Sequence, residues 1–161
     1  MRNQEEFLQL VKANEGIIYK VTKVYAKGEE EQKDLYQEVV YQLWKSFAGF
    51  KGDAQFSTWL YRVALNTALV HKKRSGKKAK DLPLNLGLLN LPEDSNQNKQ
   101  ERIQLLYDHI YRLNRIEKGI MLLYLEGKSH AAIAEIMGFT PSNIGTRLGR
   151  IKQKLKSQIQ S

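Results

Sequence analysis

Five polar side chains recur at helical spacing within the stretch SHAAIAEIMGFTPSNIGTRLGRI, residues 129–151: Ser142, Asn143, Thr146, Arg147 and Arg150. Arg forks onto the O6 and N7 atoms of guanine, and Asn pairs in the same two-pronged way with adenine N6 and N7, both in the major groove of a duplex. Lys152, Lys154 and Lys156 follow, and no acidic residue occurs from Pro141 to Ser161. A helix face of one sign beside a row of base-reading groups is suited to base edges flanked by phosphates. A second set lies upstream. Phe56, Trp59 and Tyr61 interleave with Arg62, Asn66, His71, Lys72, Lys73 and Arg74. Aromatic faces stack on unpaired bases while cations hold the backbone, so this mixture suits single-stranded or locally melted DNA. Trp59 also falls on an apolar stripe and reads more simply as core. A third set, Asp34, Glu38, Tyr41 and Lys45, runs along one polar face of a helix. It reads either as an ordinary solvated face or as a docking face for the helices of another protein.

Other chemistries are poorly supported. The chain has no cysteine, which removes disulfides, thiolate metal sites and thiol nucleophiles. The three histidines, His71, His109 and His130, are far apart and lack ligand spacing. No acidic cluster able to hold Mg²⁺ accompanies the basic regions, because Asp53 is isolated and Glu29-Glu30-Glu31 reads as a solvated loop. Neither a catalytic residue nor a metal or cofactor is expected, and a nuclease is disfavoured.

Helices must position these groups. Residues 4–26 place Phe7, Leu10, Val11, Ile17, Ile18, Val21 and Val24 on one stripe, with Gly16 as a potential break. Residues 32–47 bury Leu35, Val39, Leu43 and Phe47, flanked by Val40 and Trp44. Residues 58–74 follow the loop signals Gly49, Gly52 and Asp53, with Ser57 as N-cap and Phe56 and Tyr61 spaced as a hydrophobic staple. In the second half, helices are expected over 102–114, 116–126 (closed by Gly127), 129–137 (opened by Ser129) and 141–158, with Pro141 at its first position. The last two form a helix-turn-helix: Ala134 at the crossing, Gly138 in the turn, and Ile133, Ile144, Leu148 and Ile151 locking the second helix.

The 161 residues allow one ordinary domain or two small ones. Residues 75–101 hold Pro83, Pro92, Gly76, Gly87 and a polar run, and a structureless stretch of that length divides a chain. The expected fold is all-α: an N-terminal helical bundle (1–74), a flexible linker (75–101) and a C-terminal helix-turn-helix domain (102–161), with the two domains mobile relative to each other. Within the linker Leu82, Leu84, Leu86 and Leu88 alternate, either to dock in a groove or to pack on the chain's own helices. The net charge is +9, with 10 basic against 4 acidic residues beyond residue 101, so a polyanion is the default partner. Acids interrupt the N-terminus where a signal peptide would be apolar, and no apolar stretch is long enough to span a bilayer. A soluble, cytoplasmic protein without membrane insertion is the expectation.

Three blocks resemble the extracytoplasmic-function (group 4) sigma factors of bacterial RNA polymerase. Asp34-Leu35-Tyr36-Gln37-Glu38-Val39 with Leu43-Trp44 is similar to the D-L-x-Q-E-x-F…LW pattern of that family. Phe56 to Ala64 with Asn66 resembles its F-x-x-W-L-x-x-I-A-x-N block, and Gly127-Lys128-Ser129 leading to Ile133-Ala134 its G-x-S-x-x-E-I-A opening. The chain departs from the family where Leu113-Asn114-Arg115 lacks a proline, where Ala132 replaces a glutamate, and where Gly145 and Gly149 occupy the reading helix.

The resemblance implies a sigma factor that binds core polymerase and directs promoter-specific initiation. Asp34, Gln37, Glu38, Tyr41 and Lys45 would face the β′ clamp helices. Phe56, Ser57, Arg62, Asn66, Lys72, Lys73 and Arg74 would serve the −10 element. Ser142, Asn143, Thr146, Arg147, Arg150 and Lys152 would serve the −35 element. Promoter DNA, the β flap and an anti-sigma factor complete the implied partners. A free-standing helix-turn-helix regulator binding duplex DNA as a dimer is the alternative.

Overall fold

The computed structural model describes residues 4–52, 55–71 and 97–160. Among them lie eight helices and no strand: α1 (Gln4–Ala13), α2 (Glu15–Tyr25), α3 (Glu29–Phe47), α4 (Phe56–Val70), α5 (Gln97–Tyr111), α6 (Arg115–Leu125), α7 (His130–Met137) and α8 (Pro141–Gln160). The all-α class holds. Lys72, Lys73, Arg74, Asp53 and the leucine alternation at 82–88 lie outside the described residues.

Several boundaries differ from the sequence reading, each for a local reason. The first helix breaks at Asn14, not Gly16: the Asn14 side-chain amide donates to the Leu10 carbonyl at 2.8 Å, and α2 restarts at Glu15. Glu29-Glu30-Glu31 is the first turn of α3, not a loop. Gly28, at φ +94°, turns the chain, and Glu31 accepts the Lys27 backbone N–H at 2.8 Å. Three carboxylates there favour the positive end of the helix. Ser57 does not cap α4, because the helix already begins at Phe56 with Gln55 before it. Asn114 caps α6 through a reciprocal box with Glu117, a signal that the sequence reading passed over. Finally, α5 begins at Gln97, inside the stretch read as linker.

Helices α2, α3 and α4 pack around Ile18, Val21, Leu35, Val39, Leu43, Leu60 and Leu65, all at or near zero exposure, with α1 laid across through Phe7 and Val11. Helices α6, α7 and α8 close around Ile120, Leu123, Ile133, Ile144, Leu148 and Ile151. The two groups do not stand apart. α2 packs on α5 and α6, α4 packs on α6 and α7, and their buried apolar residues form one connected cluster.

Candidate nucleic-acid interface

The helix-turn-helix is built as its sequence requires. Ser129 Oγ accepts the Ala132 N–H at 3.1 Å to open α7, and the Ala134 carbonyl takes the N–H groups of both Gly138 and Phe139 to close it. Gly138 sits at φ +84°, a left-handed conformation in which a Cβ is strained. Thr140 Oγ1 then accepts the Asn143 N–H at 3.1 Å, capping α8 ahead of Pro141. Burial of Ile144, Leu148, Ile151 and Leu155 leaves Ser142, Asn143, Thr146, Arg150 and Lys152 exposed, with Arg147 half-buried among them.

These groups are not equally free. The Arg147 guanidinium lies over the Phe139 ring, 4.4 Å from its centroid, and its Nε donates to Asn143 Oδ1 at 2.7 Å. The Thr146 hydroxyl donates back to the Ser142 carbonyl at 3.3 Å. The basic tail is less one-sided than its sequence. Lys154 Nζ meets Glu117 of α6 at 2.9 Å, and the Lys152 ammonium sits 4.2 Å from the Tyr124 ring centroid. Lys154 is therefore a poorer phosphate contact than expected, and local charge counting could not find a partner 37 residues away.

On α4 the aromatic residues gather as a cluster. Phe56 lies 5.3 Å from Trp59 and 5.6 Å from Phe50, in the latter case nearly perpendicular, while Trp59 also meets Phe50 at 5.1 Å. Phe47 joins at 6.3 Å from Trp59, which bears out a structural role for that residue. Phe56 and Ser57 are half-buried. Asn66 is exposed and borders a cavity of about 520 Å³ with Glu38, Gln42, Thr67, Val70 and His71.

Tyr61 and Arg62 face the other helical group. Tyr61 is buried and donates to Glu126 Oε1 at 2.8 Å, so it makes no free platform for a base. Burial, reinforced by the Glu126 bond, pushes its hydroxyl well above the ordinary tyrosine range. Lys20 grips the same carboxylate at 2.9 Å. Arg62 donates to the Glu135 carbonyl at 3.2 Å and approaches its carboxylate at 3.6 Å. Beside them Tyr25 donates to the Arg115 carbonyl, Arg115 donates to the Leu69 carbonyl, and the Lys118 ammonium lies 5.4 Å from the Tyr25 ring centroid. Gly119 permits this approach: a Cβ there would stand 2.8 Å from Met137 Cε and 3.0 Å from the Tyr25 hydroxyl. Glu126, Glu135 and Gly119 escaped the sequence reading because their partners lie far away in the chain.

The polar face of α3 borders an apolar trough. Tyr41 is 54% exposed and Trp44 44%, and with Leu8, Phe7, Tyr36 and Val40 they line a depression of about 530 Å³ between α1 and α3. Gln37 lies at its edge, Lys45 reaches over the Tyr41 ring, and Glu38 accepts a hydrogen bond from Gln42 at 3.0 Å. Asp34 is half-buried one turn earlier. Among the described residues no group of histidine and acidic side chains could hold a metal ion, and no helix is long and apolar enough to cross a membrane.

Comparison with known proteins decides among the readings. The family described as Sigma-70 region 2 matches residues 10–78, and that described as Sigma-70, region 4, matches residues 104–155. The ECF RNA polymerase sigma-E factor of Haemophilus influenzae is 30% identical over 79% of this chain and 74% of its own length. The chain belongs to the ECF sigma factors. The RNA polymerase sigma-H factor of Pseudomonas aeruginosa is 26% identical over 81% of this chain and 74% of its own. The sigma-E factor of Escherichia coli K12 is 26% identical over 79% and 73%.

As a sigma factor, the protein works with RNA polymerase core and promoter DNA and directs promoter-specific initiation, which displaces the free-standing regulator. Its fold is shared with a chain from the structure of CnrH in complex with the cytosolic domain of CnrY, at a TM-score of 0.68 and 18% identity over 98% of this chain and 90% of that one. The sigma factor's region 2 match takes in the last turn of α1, then α2, α3 and α4. Its region 4 match contains the helix-turn-helix.

Proposed function

We propose that the sigma factor divides promoter reading between its two helical groups, taken as residues 1–74 and 102–161 and joined by 75–101. The carrying observation is the face of α8, where Ser142, Asn143, Thr146, Arg147 and Arg150 stand opposite the buried Ile144, Leu148 and Ile151. That helix enters the major groove of the −35 element, with Lys152 near the phosphates. Residues 48–58, the last three of them the first turn of α4, and the rest of that helix take a flipped base and the melted strand of the −10 element. Phe56, Ser57 and Asn66 lie beside the Phe50–Trp59 cluster or the cavity along α4, and Lys72, Lys73 and Arg74 supply charge. Arg62 joins them once its pairing with Glu135 parts, a modest cost for an exposed ion pair.

Asp34, Gln37, Glu38, Tyr41 and Lys45 dock on the β′ clamp helices, and the exposed Tyr41 and Trp44 supply apolar area for that contact. The second group meets the β flap, and the linker follows the polymerase channel. Catalysis belongs to the polymerase, and the sigma factor acts in the cytoplasm without a cofactor. An anti-sigma factor restrains it. The packing of α2 and α4 on α5, α6 and α7 offers such a factor a closed form to hold, and CnrH, of the same fold, is in complex with a domain of CnrY.

The test is co-purification with bacterial core polymerase, followed by run-off transcription on pooled promoter fragments. Stoichiometric association with initiation that depends on both elements supports the proposal. Initiation that is indifferent to the −35 sequence, or duplex binding without polymerase, overturns it.

A further inference from the structure

Arg147 differs from a flexible surface arginine in being held on two sides. Its guanidinium stacks on Phe139 at 4.4 Å while its Nε–H bonds to Asn143 Oδ1 at 2.7 Å. Both holders are themselves fixed. Phe139 is half-buried against the core and its N–H bonds to the Ala134 carbonyl at 3.0 Å. The Asn143 N–H is tied to Thr140 Oγ1 at 3.1 Å. A guanidinium held through its Nε edge and one face keeps both Nη atoms for a partner, and those two donors match guanine O6 and N7. Fixing the fork in advance lowers the entropy lost on contact.

Resting on the groove reading of α8, we propose that Phe139 and Asn143 are positioning residues that make Arg147 a guanine reader in the −35 element. Asn143 is then a holder of arginine rather than a reader of adenine. Its amide oxygen accepts from Arg147, whereas adenine recognition needs that oxygen for N6. Phe139, at the turn before α8, sets specificity without touching DNA.

The test is selection of initiating promoters by the full-length protein with core polymerase, from a library randomised through the −35 region. The wild-type protein should prefer guanine at one position, by roughly 5–150-fold for a bidentate contact. Replacing that base by 7-deazaguanine, which lacks N7, should remove much of the preference. Arg147→Ala should abolish it. Asn143→Ala and Phe139→Leu should weaken it at that position alone, with other positions and polymerase association unchanged, and Phe139→Tyr should restore it. An adenine preference lost in Asn143→Ala, or uniform weakening at all positions in Asn143→Ala and Phe139→Leu, overturns the positioning role. No base preference upstream in the wild-type protein overturns the groove reading of α8, and this proposal with it.

Discussion

The two surfaces proposed for DNA are presented differently. On α8 the polar face is exposed and its central arginine is held by residues of its own helix-turn-helix. On α4 the adjacent Tyr61 and Arg62 are engaged by Glu126 and Glu135 of the other helical group. One surface is ready as folded, whereas the other gains its arginine only when the groups part. The burial of Tyr61 and the fit around Gly119 set that cost more than the exposed Arg62 pair does, because buried polar and packing losses exceed those of solvated ions.

The sharpest way to break this asymmetry is Gly119→Leu. Its added side chain collides with Tyr25 of α2 across the groups, while the flexible end of Met137, on α7 of its own group, can swing aside, an overpacking penalty of about 1–3 kcal/mol. Small-angle scattering should show separation of the two groups while circular dichroism keeps the helix content. Glu126→Ala acts from the polar side. It strands the Tyr61 hydroxyl and frees Lys20, a loss of about 1–2 kcal/mol in thermal or denaturant unfolding.

On the α8 side, Lys156→Gln should reduce the salt dependence of DNA binding by about one counterion. Lys154→Gln should reduce it less, since Glu117 already neutralises that ammonium. Breaking the exposed Arg62 pair with Glu135→Gln should change stability by less than about 1 kcal/mol. The smallest effect concerns pH. With the Tyr61 hydroxyl raised by burial and by Glu126, its contribution is complete below the unfolded tyrosine value of about 10 and declines as pH rises beyond it. Tyr61→Phe should lower stability across the neutral range, where the bond to Glu126 is intact, and remove the decline in that alkaline window.

Local patterns in the sequence account for much of this molecule. The crossing at Ala134, the turn at Gly138, the cap at Ser129 and the burial of Ile144, Leu148 and Ile151 all follow from periodicity and turn chemistry within 23 residues. The α8 face was legible for the same reason. Long-range pairings were not: Glu126 meets Tyr61 across 65 residues and Lys20 across 106, and no period encodes such a contact. Gly119 reads as an unfavourable helix residue until Met137 and Tyr25 are placed beside it. Tyr61 looked like an aromatic platform because its spacing marks it as amphipathic, but not which neighbour takes its hydroxyl. Local competition explains the smaller errors, with the Asn14 amide ending α1 before Gly16 is reached.

The most direct test of the central asymmetry compares two ligands of the free full-length protein: a −10 single strand and a −35 duplex, both taken from a promoter selected with polymerase. Binding of each is measured for wild type and for Gly119→Leu. If closure masks α4, opening should raise single-strand affinity severalfold by increasing the competent fraction, while duplex affinity stays the same. Equal single-strand affinity in the two proteins, with scattering confirming that Gly119→Leu is open, would contradict the account.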